Sequence, residues 1–187
     1  MIVAVLDACI LYPPALRDLF MWLAANSVFQ PRWTEDIHAE WTRNVLQDNP
    51  EITPEQLTRT RQLMDAINED SLVTGYEKHI STLTLPDEDD HHVLAAAIEA
   101  QASVIVTFNL SDFPASTLRA YDIHAIHPDK YLHTLFDEAP ELFLTAVRDH
   151  RASLKRPPKD VEEYLNTLNG HGLITLAASL AGYRNSF

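Results

Sequence analysis

The sequence predicts an α/β fold of three layers: a central parallel sheet with helices on both faces, followed by a helical C-terminal extension. Three observations carry this. Ile2-Val3-Ala4-Val5-Leu6 is a continuous apolar run without alternation, which marks a strand covered on both faces. Strand-like and helical segments then alternate as far as about Pro128. Beyond that point the strand signals stop and only helical periodicity continues. The expected division is therefore residues 1–128 as the α/β domain and 129–187 as the extension.

Each element has a local reason. Pro13-Pro14 opens a helix to about Ala25, with Leu16, Leu19, Phe20 and Leu23 at helical spacing. Thr34 can cap a helix to about Gln47 that carries Ile37, Trp41 and Val45 on one stripe. Thr53-Pro54-Glu55-Gln56 is a capping box with proline at the first helical position, and it starts a helix to about Glu69. Ser71–Thr74 reads as a short strand. Asp87 can cap a helix from Glu88 to about Gln101, using its side chain on the amide of Asp90. Ser103–Phe108 is a second strongly apolar strand and Ile123–Ile126 a weaker one. Helices then follow at roughly 128–136, 139–155, 161–169 and 173–181. The third is capped by Asp160 with Glu163 and ended by Asn169-Gly170.

Composition narrows the class. With 46% hydrophobic and 22% charged residues, the 187-residue chain has the balance of a soluble globular protein. Its longest apolar runs are far shorter than a bilayer span, and Asp7 breaks the first of them, so neither a membrane helix nor a signal peptide is expected. A single cysteine, Cys9, excludes an internal disulfide and a cysteine-rich zinc site, and the expected compartment is the cytoplasm. The net charge of −13, from 14 Lys+Arg against 27 Asp+Glu, argues against loose coating of nucleic acid. It leaves room for an enzyme that reaches phosphate through a divalent cation.

Four carboxylates stand out by position. Asp7 directly follows the first buried strand, where ligands bind in open parallel sheets. Asp112 follows the other strong strand, and the two converge if those strands are neighbours. Asp90 stands three, four and seven residues before Val93, Leu94 and Ala97, so on a helix it shares their apolar face, whereas Glu88 and Asp89 point elsewhere. Glu40 lies between Ile37 and Trp41 on the apolar side of its helix. Singly, each has an ordinary reading as a cap, a turn residue or a surface acid. Gathered together, four such charges repel, and a hard cation bound by oxygens, Mg²⁺ or Mn²⁺, removes the conflict.

These residues resemble a PIN domain, a metal-dependent nuclease. The resemblance rests on Met1–Leu11 with Asp7, Trp33–Asn44 with Glu40, Asp87–Ala97 with Asp90, and Val104–Phe113 ending in Asn-Leu-Ser-Asp-Phe. Leu11–Asp18 and Asp90–Ala97 are similar to a longer VapC-type toxin branch that carries a helical C-terminal extension. The resemblance implies an endoribonuclease toxin of a type II toxin–antitoxin pair, with RNA as substrate and a cognate antitoxin as partner. Pairing of two copies is left open. It also implies Asp7, Glu40, Asp90 and Asp112 as the metal-binding catalytic cluster, with Thr107 and Asn109 as polar support. The run Asp87-Glu88-Asp89-Asp90 leaves the register of the third carboxylate open.

Arg148, Arg151, Lys155, Arg156 and Lys159 crowd one short window beside a single acid, Asp149. On the expected 139–155 helix, positions 148, 151 and 155 share a face, either solvated or docked on RNA phosphate. His91 and His92 are adjacent and cannot face one way; His91, beside Asp90, could approach the site but reads first as a surface residue, and Cys9 reads as a small buried hydrophobe. Two other classes are weighed. A noncatalytic binding module on the same fold would be favoured by loss of a cluster member, and all four are present. A phosphatase or receiver domain also places an aspartate after strand one. The phosphatase wants Asp-x-Asp where this chain has Asp7-Ala8-Cys9, and the receiver wants a later strand-end lysine that is not visible.

Overall fold

A computed structural model describes residues 1–187. Four strands form one parallel sheet: β1 (Val3–Leu6), β2 (Gln30–Arg32), β3 (Val104–Val106) and β4 (His124–Ile126), in the order β2-β1-β3-β4. The two most apolar segments, β1 and β3, are central neighbours, in register Ala4–Val104 to Leu6–Val106. Ala4, Val5 and Leu6 are all fully buried. Successive strand residues face opposite ways, so both faces of the sheet are covered. The uninterrupted apolar run anticipated this.

The helices in chain order are α1 (Ala8–Leu11), α2 (Pro14–Ala25), α3 (Glu35–Asp48), α4 (Pro54–Asp65), α5 (Glu77–Ile80), α6 (His91–Glu99), α7 (Ala115–Leu118), α8 (Pro128–Glu138), α9 (Pro140–Ser153), α10 (Val161–Gly170) and α11 (Ile174–Leu180). Three of the anticipated caps form. Thr34 accepts from the Ile37 amide, and Thr53/Gln56 and Asp160/Glu163 make complete capping boxes.

Several expectations are corrected. Ser71–Thr74 is not a strand: Leu72 makes one isolated bridge with Trp33. The second strand is Gln30–Arg32, which the sequence hides behind Pro31. Because β2 is an edge strand, the outward side needs no N–H from the proline. The helix from Pro54 stops at Asp65, four residues early, and Asn68 turns the chain by accepting from the Asp70 amide. The short helix α1 was not foreseen.

The C-terminal helices share the core of the sheet. Fifty buried residues from Ala4 to Phe187 form a single cluster. Tyr131 of α8 stacks on Phe20 of α2 at 6.4 Å and meets Phe29 edge-on at 5.7 Å. The α11 N-terminus lacks a cap of its own. Asp129 supplies one from α8, accepting from the Thr175 and Leu176 amides at 3.0 and 2.9 Å. No helix is long and apolar enough to cross a membrane.

Candidate active site

The strand ends set the geometry. Where β1 stops, the Asp7 amide still pairs with the Val106 carbonyl of β3, so Asp7 is fixed by the sheet. Its side chain caps α1 by accepting from the Ala8 amide at 2.6 Å through Oδ1. Oδ2 accepts from Thr107 Oγ1 at 2.6 Å and from Cys9 Sγ at 3.2 Å. Asp7 is 3% exposed, and burial pushes its carboxyl up. The Thr107 and Cys9 hydrogen bonds oppose that rise, and the Glu40 charge adds to it. Thr107, fully buried, also accepts from the Asn109 amide and so links the β3 end to Asp7. The Cys9 thiol is pushed up to about 12 by burial and the Asp7 charge, which leaves it a protonated donor to the carboxylate.

Helix α3 forms the next wall. Its inner face is locked by a buried chain of rings. Trp41 Nε1 donates to His38 Nδ1 at 2.9 Å, so Nδ1 carries no proton, and His38 Nε2 meets Asp65 Oδ1 at 3.1 Å. Trp33 Nε1 donates to the same oxygen at 2.7 Å, and the Arg17 guanidinium lies 4.7 Å over the Trp41 ring. Burial holds His38 below its ordinary pKa. With Ile37, Trp41 and Val45 turned inward, the opposite stripe of Asp36, Glu40 and Arg43 faces an open cleft, so Glu40 lies on the outward face and not on the apolar side where it was expected.

That cleft, about 450 Å³, is lined by Asp36, Glu40, Asp87, Asp89, Asp90 and Asp112, with Arg43, His92, Ala39 and Asn109. It brings three of the four expected carboxylates together, and the fourth, Asp7, lies close enough for its charge to act on Asp90. The Asp90 carboxyl is pushed up to about 7, first by burial and then by the charges of Asp7, Asp112, Asp87 and Glu40. Four chain segments therefore feed one electrostatic field.

The register of the acidic run differs from the expected one. Residues Glu88–Asp90 form a turn of 3₁₀ helix, and α6 begins only at His91. Asp87 caps the Asp89 amide at 2.9 Å rather than that of Asp90. With about three residues per turn in place of 3.6, Asp87, Asp89 and Asp90 all reach the cleft. Asp89 does not point away as expected, although Asp90 alone of the three is half-buried. Val93–Ala97 are buried all round, so α6 has no single apolar stripe from which to read a direction.

Sequence reasoning missed Asp36, Arg43 and His92. Asp36, Glu40 and Arg43 follow one another by four and three residues, a helical spacing that was available. His92 is 14% exposed and its Nε2 lies 3.5 Å from Glu40 Oε2, so it belongs to the cleft and not the surface. His91 accepts from the Leu85 amide through Nε2.

The basic window is dispersed. α9 ends at Ser153, so Lys155 does not share a helical face with Arg148 and Arg151. Arg151 donates to the Lys159 carbonyl and Lys159 Nζ to Thr167, which assigns both to fastening α9 against α10. Arg148 pairs with Asp149 at 3.2 Å, while Lys155 and Arg156 stand exposed in the loop beyond.

A family model described as "PIN domain" matches residues 3–111. The chain belongs to the PIN domain family. A second model, "VapC50 C-terminal domain", matches residues 128–182, the helices that pack from α8 onward. A Mycobacterium tuberculosis protein named "Putative ribonuclease VapC50" is 44% identical over 63 residues, which are 32% of this chain and 37% of that relative. The chain is thus a PIN domain with a VapC-type C-terminal extension. No solved structure matches it significantly. Family membership replaces the phosphatase or receiver alternative.

The oxygen-rich donor set suits a hard divalent cation, and the mutual repulsion recorded at Asp90 is what such an ion would relieve. As the side chains stand, no three of His, Cys, Asp or Glu are grouped to hold an ion. The residues fit the ion in chemistry and charge, and metal dependence belongs to the proposal below.

Proposed function

We propose that this PIN domain is a divalent-metal-dependent endoribonuclease and the toxin of a type II toxin–antitoxin pair, with residues 1–128 as the nuclease unit and 129–187 as its extension. The observation that carries the reading is the Asp90 carboxyl, raised to about 7 by burial and by acids from three other segments inside an open cleft. A purely structural surface has no reason to gather carboxylates against their repulsion. The similarity to a relative whose name says ribonuclease supports the same conclusion.

Each side chain then has a task. Asp7 is held by three donors and offers a rigid carboxylate beside the cleft. Asp90 and Asp112 complete the ligand set, and Thr107 with Asn109 keep the β3 end in place. An Mg²⁺ or Mn²⁺ ion held by these residues would lower the pKa of water and polarise the phosphate. Glu40 orients the attacking water and accepts its proton at a carboxylate oxygen, with His92 behind it. The water oxygen bonds to phosphorus, the bond to the 3′ oxygen breaks, and that oxygen takes a proton from solvent water, which leaves a 5′-phosphate and a 3′-hydroxyl.

The test is cleavage of RNA by the purified chain with Mg²⁺, with Mn²⁺ and in excess chelator, the ends mapped by sequencing. Cuts bearing 5′-phosphates that vanish in chelator are expected. Full activity in chelator would overturn the metal, and no cutting with either ion would favour the noncatalytic module. An antitoxin with a basic segment fits a −13 protein whose cleft is acidic, so association should slow as salt rises. A rate indifferent to salt would remove that mechanism. Lys155 and Arg156 remain for RNA docking, and their charge reversal should flatten the salt dependence of RNA binding.

A further inference from the structure

A second pocket, of about 430 Å³, opens beside the acidic cleft and shares Glu40 and Asn109 with it. Its character is different. Ala8 and Cys9 of α1 give an apolar floor, Tyr12 stands at one side, and Asn44 and Asp48 continue the Glu40 stripe along α3 at successive steps of four residues. From Glu40 to Asp48 that stripe runs about 12 Å. We propose that this pocket seats the base of a nucleotide adjoining the phosphodiester that is cut, and that it selects a base carrying an exocyclic amino group. The proposal rests on the nuclease reading for the role of the neighbouring cleft.

Three features support it. Tyr12 is fixed, because its hydroxyl donates to Asp48 Oδ2 at 2.8 Å, so the ring is a preset wall on which a base can stack. The Asn44 and Asn109 side-chain amides make no hydrogen bond within the chain, whereas Asn26 and Asn49 each donate to a nearby backbone carbonyl. Two free amides on facing elements are what a base edge needs. Finally, Asp48 keeps one carboxylate oxygen unused by Tyr12, and Glu40 stands at the other end, so the pocket is rich in acceptors. Cytosine, adenine and guanine offer amino protons to such a lining. Uracil presents a carbonyl in place of the cytosine amino group and leaves an acceptor facing an acceptor.

Two measurements test this. The first is cleavage of RNA pools randomised around the cut site, with the ends sequenced. Wild type should disfavour uracil at one position beside the cut by roughly tenfold. Asn44→Ala and Asp48→Asn should flatten that position alone. Tyr12→Leu should raise KM with little change in kcat, and Tyr12→Phe, which keeps the ring, should restore most of the loss. Melting temperatures confirm that the variants fold. The second is titration of the intact protein with CMP and UMP, followed through the amide signals of Asn44 and Asn109. CMP should shift them more than UMP, and Asn44→Ala should remove the response. An unchanged base preference in Asn44→Ala and Asp48→Asn overturns the subsite. If no RNA is cut yet CMP still shifts these amides selectively, the nuclease reading falls and the base pocket stands. If neither occurs, both fall.

Discussion

Asp7→Asn should abolish RNA cleavage, by at least about 100-fold, and leave the protein folded. The asparagine still offers an oxygen to the Ala8 amide, and Asn and Asp are equivalent as helix caps. Its amide nitrogen would meet Thr107 Oγ1, a hydroxyl that can turn to accept. What is lost is the negative charge on a 3% exposed carboxylate, the feature suited to a cation. Burial already works against that charge, so the melting temperature without metal should stay level or rise. The check is thermal unfolding beside a cleavage time course. A well-folded Asp7→Asn that cuts RNA as fast as wild type would remove Asp7 from the reaction and overturn the metal cluster proposed around it.

The positions of these acids were legible to different degrees. Asp7 was the plainest, because a buried strand followed by an acid puts that acid at the carboxyl end of a sheet whatever the remaining topology. Its convergence with Asp112 depended on β1 and β3 being neighbours, which no residue pattern states and the parallel register now shows. Glu40 was singled out by position but placed on the wrong side, because α3 is a regular helix that buries Ile37, Trp41 and Val45 and turns Glu40 to the other face. The same periodicity applied outward would have found Asp36 and Arg43. It failed at Glu88–Asp90, since a turn of 3₁₀ helix rotates side chains differently and α6 is buried on all sides. It failed again at β2, where Pro31 in a three-residue edge strand carries no strand signal. The basic window looked like one helical face because Pro157-Pro158 places the end of α9 only to within a few residues, and the helix stops at Ser153, short of Lys155.

Asp90→Asn should lose most of the activity and, unlike a simple loss of function, gain stability without metal at neutral pH. The Asp90 carboxyl is raised from 3.8 to about 7, with burial as the largest cause and the charges of Asp7, Asp112, Asp87 and Glu40 behind it. A carboxyl whose pKa is raised on folding binds its proton more tightly in the folded state. Its stabilising effect is therefore complete below about pH 4 and is lost as pH rises through 7. Above pH 7 the folded protein carries a penalty for ionising it. Three pH units would correspond to about 4 kcal/mol, but water reaches this half-buried group and screens it, so a gain on the order of 1–2 kcal/mol for Asp90→Asn is expected. The neighbours sharpen the test. Asp87→Ala should cost up to about 1 kcal/mol by uncapping the Asp89 amide while sparing most of the cleavage. Asp89→Asn, at an exposed position, should change stability little. Cleavage rate, Mg²⁺ affinity and metal-free melting at pH 5 and pH 8 separate the three. The stability advantage of Asp90→Asn should be present at pH 8 and shrink towards pH 5. Equal advantages at both pH values would mean that the Asp90 carboxyl is raised neither by burial nor by the other acids. A dead Asp89→Asn with an active Asp90→Asn would move the cation to the exposed rim of the cleft.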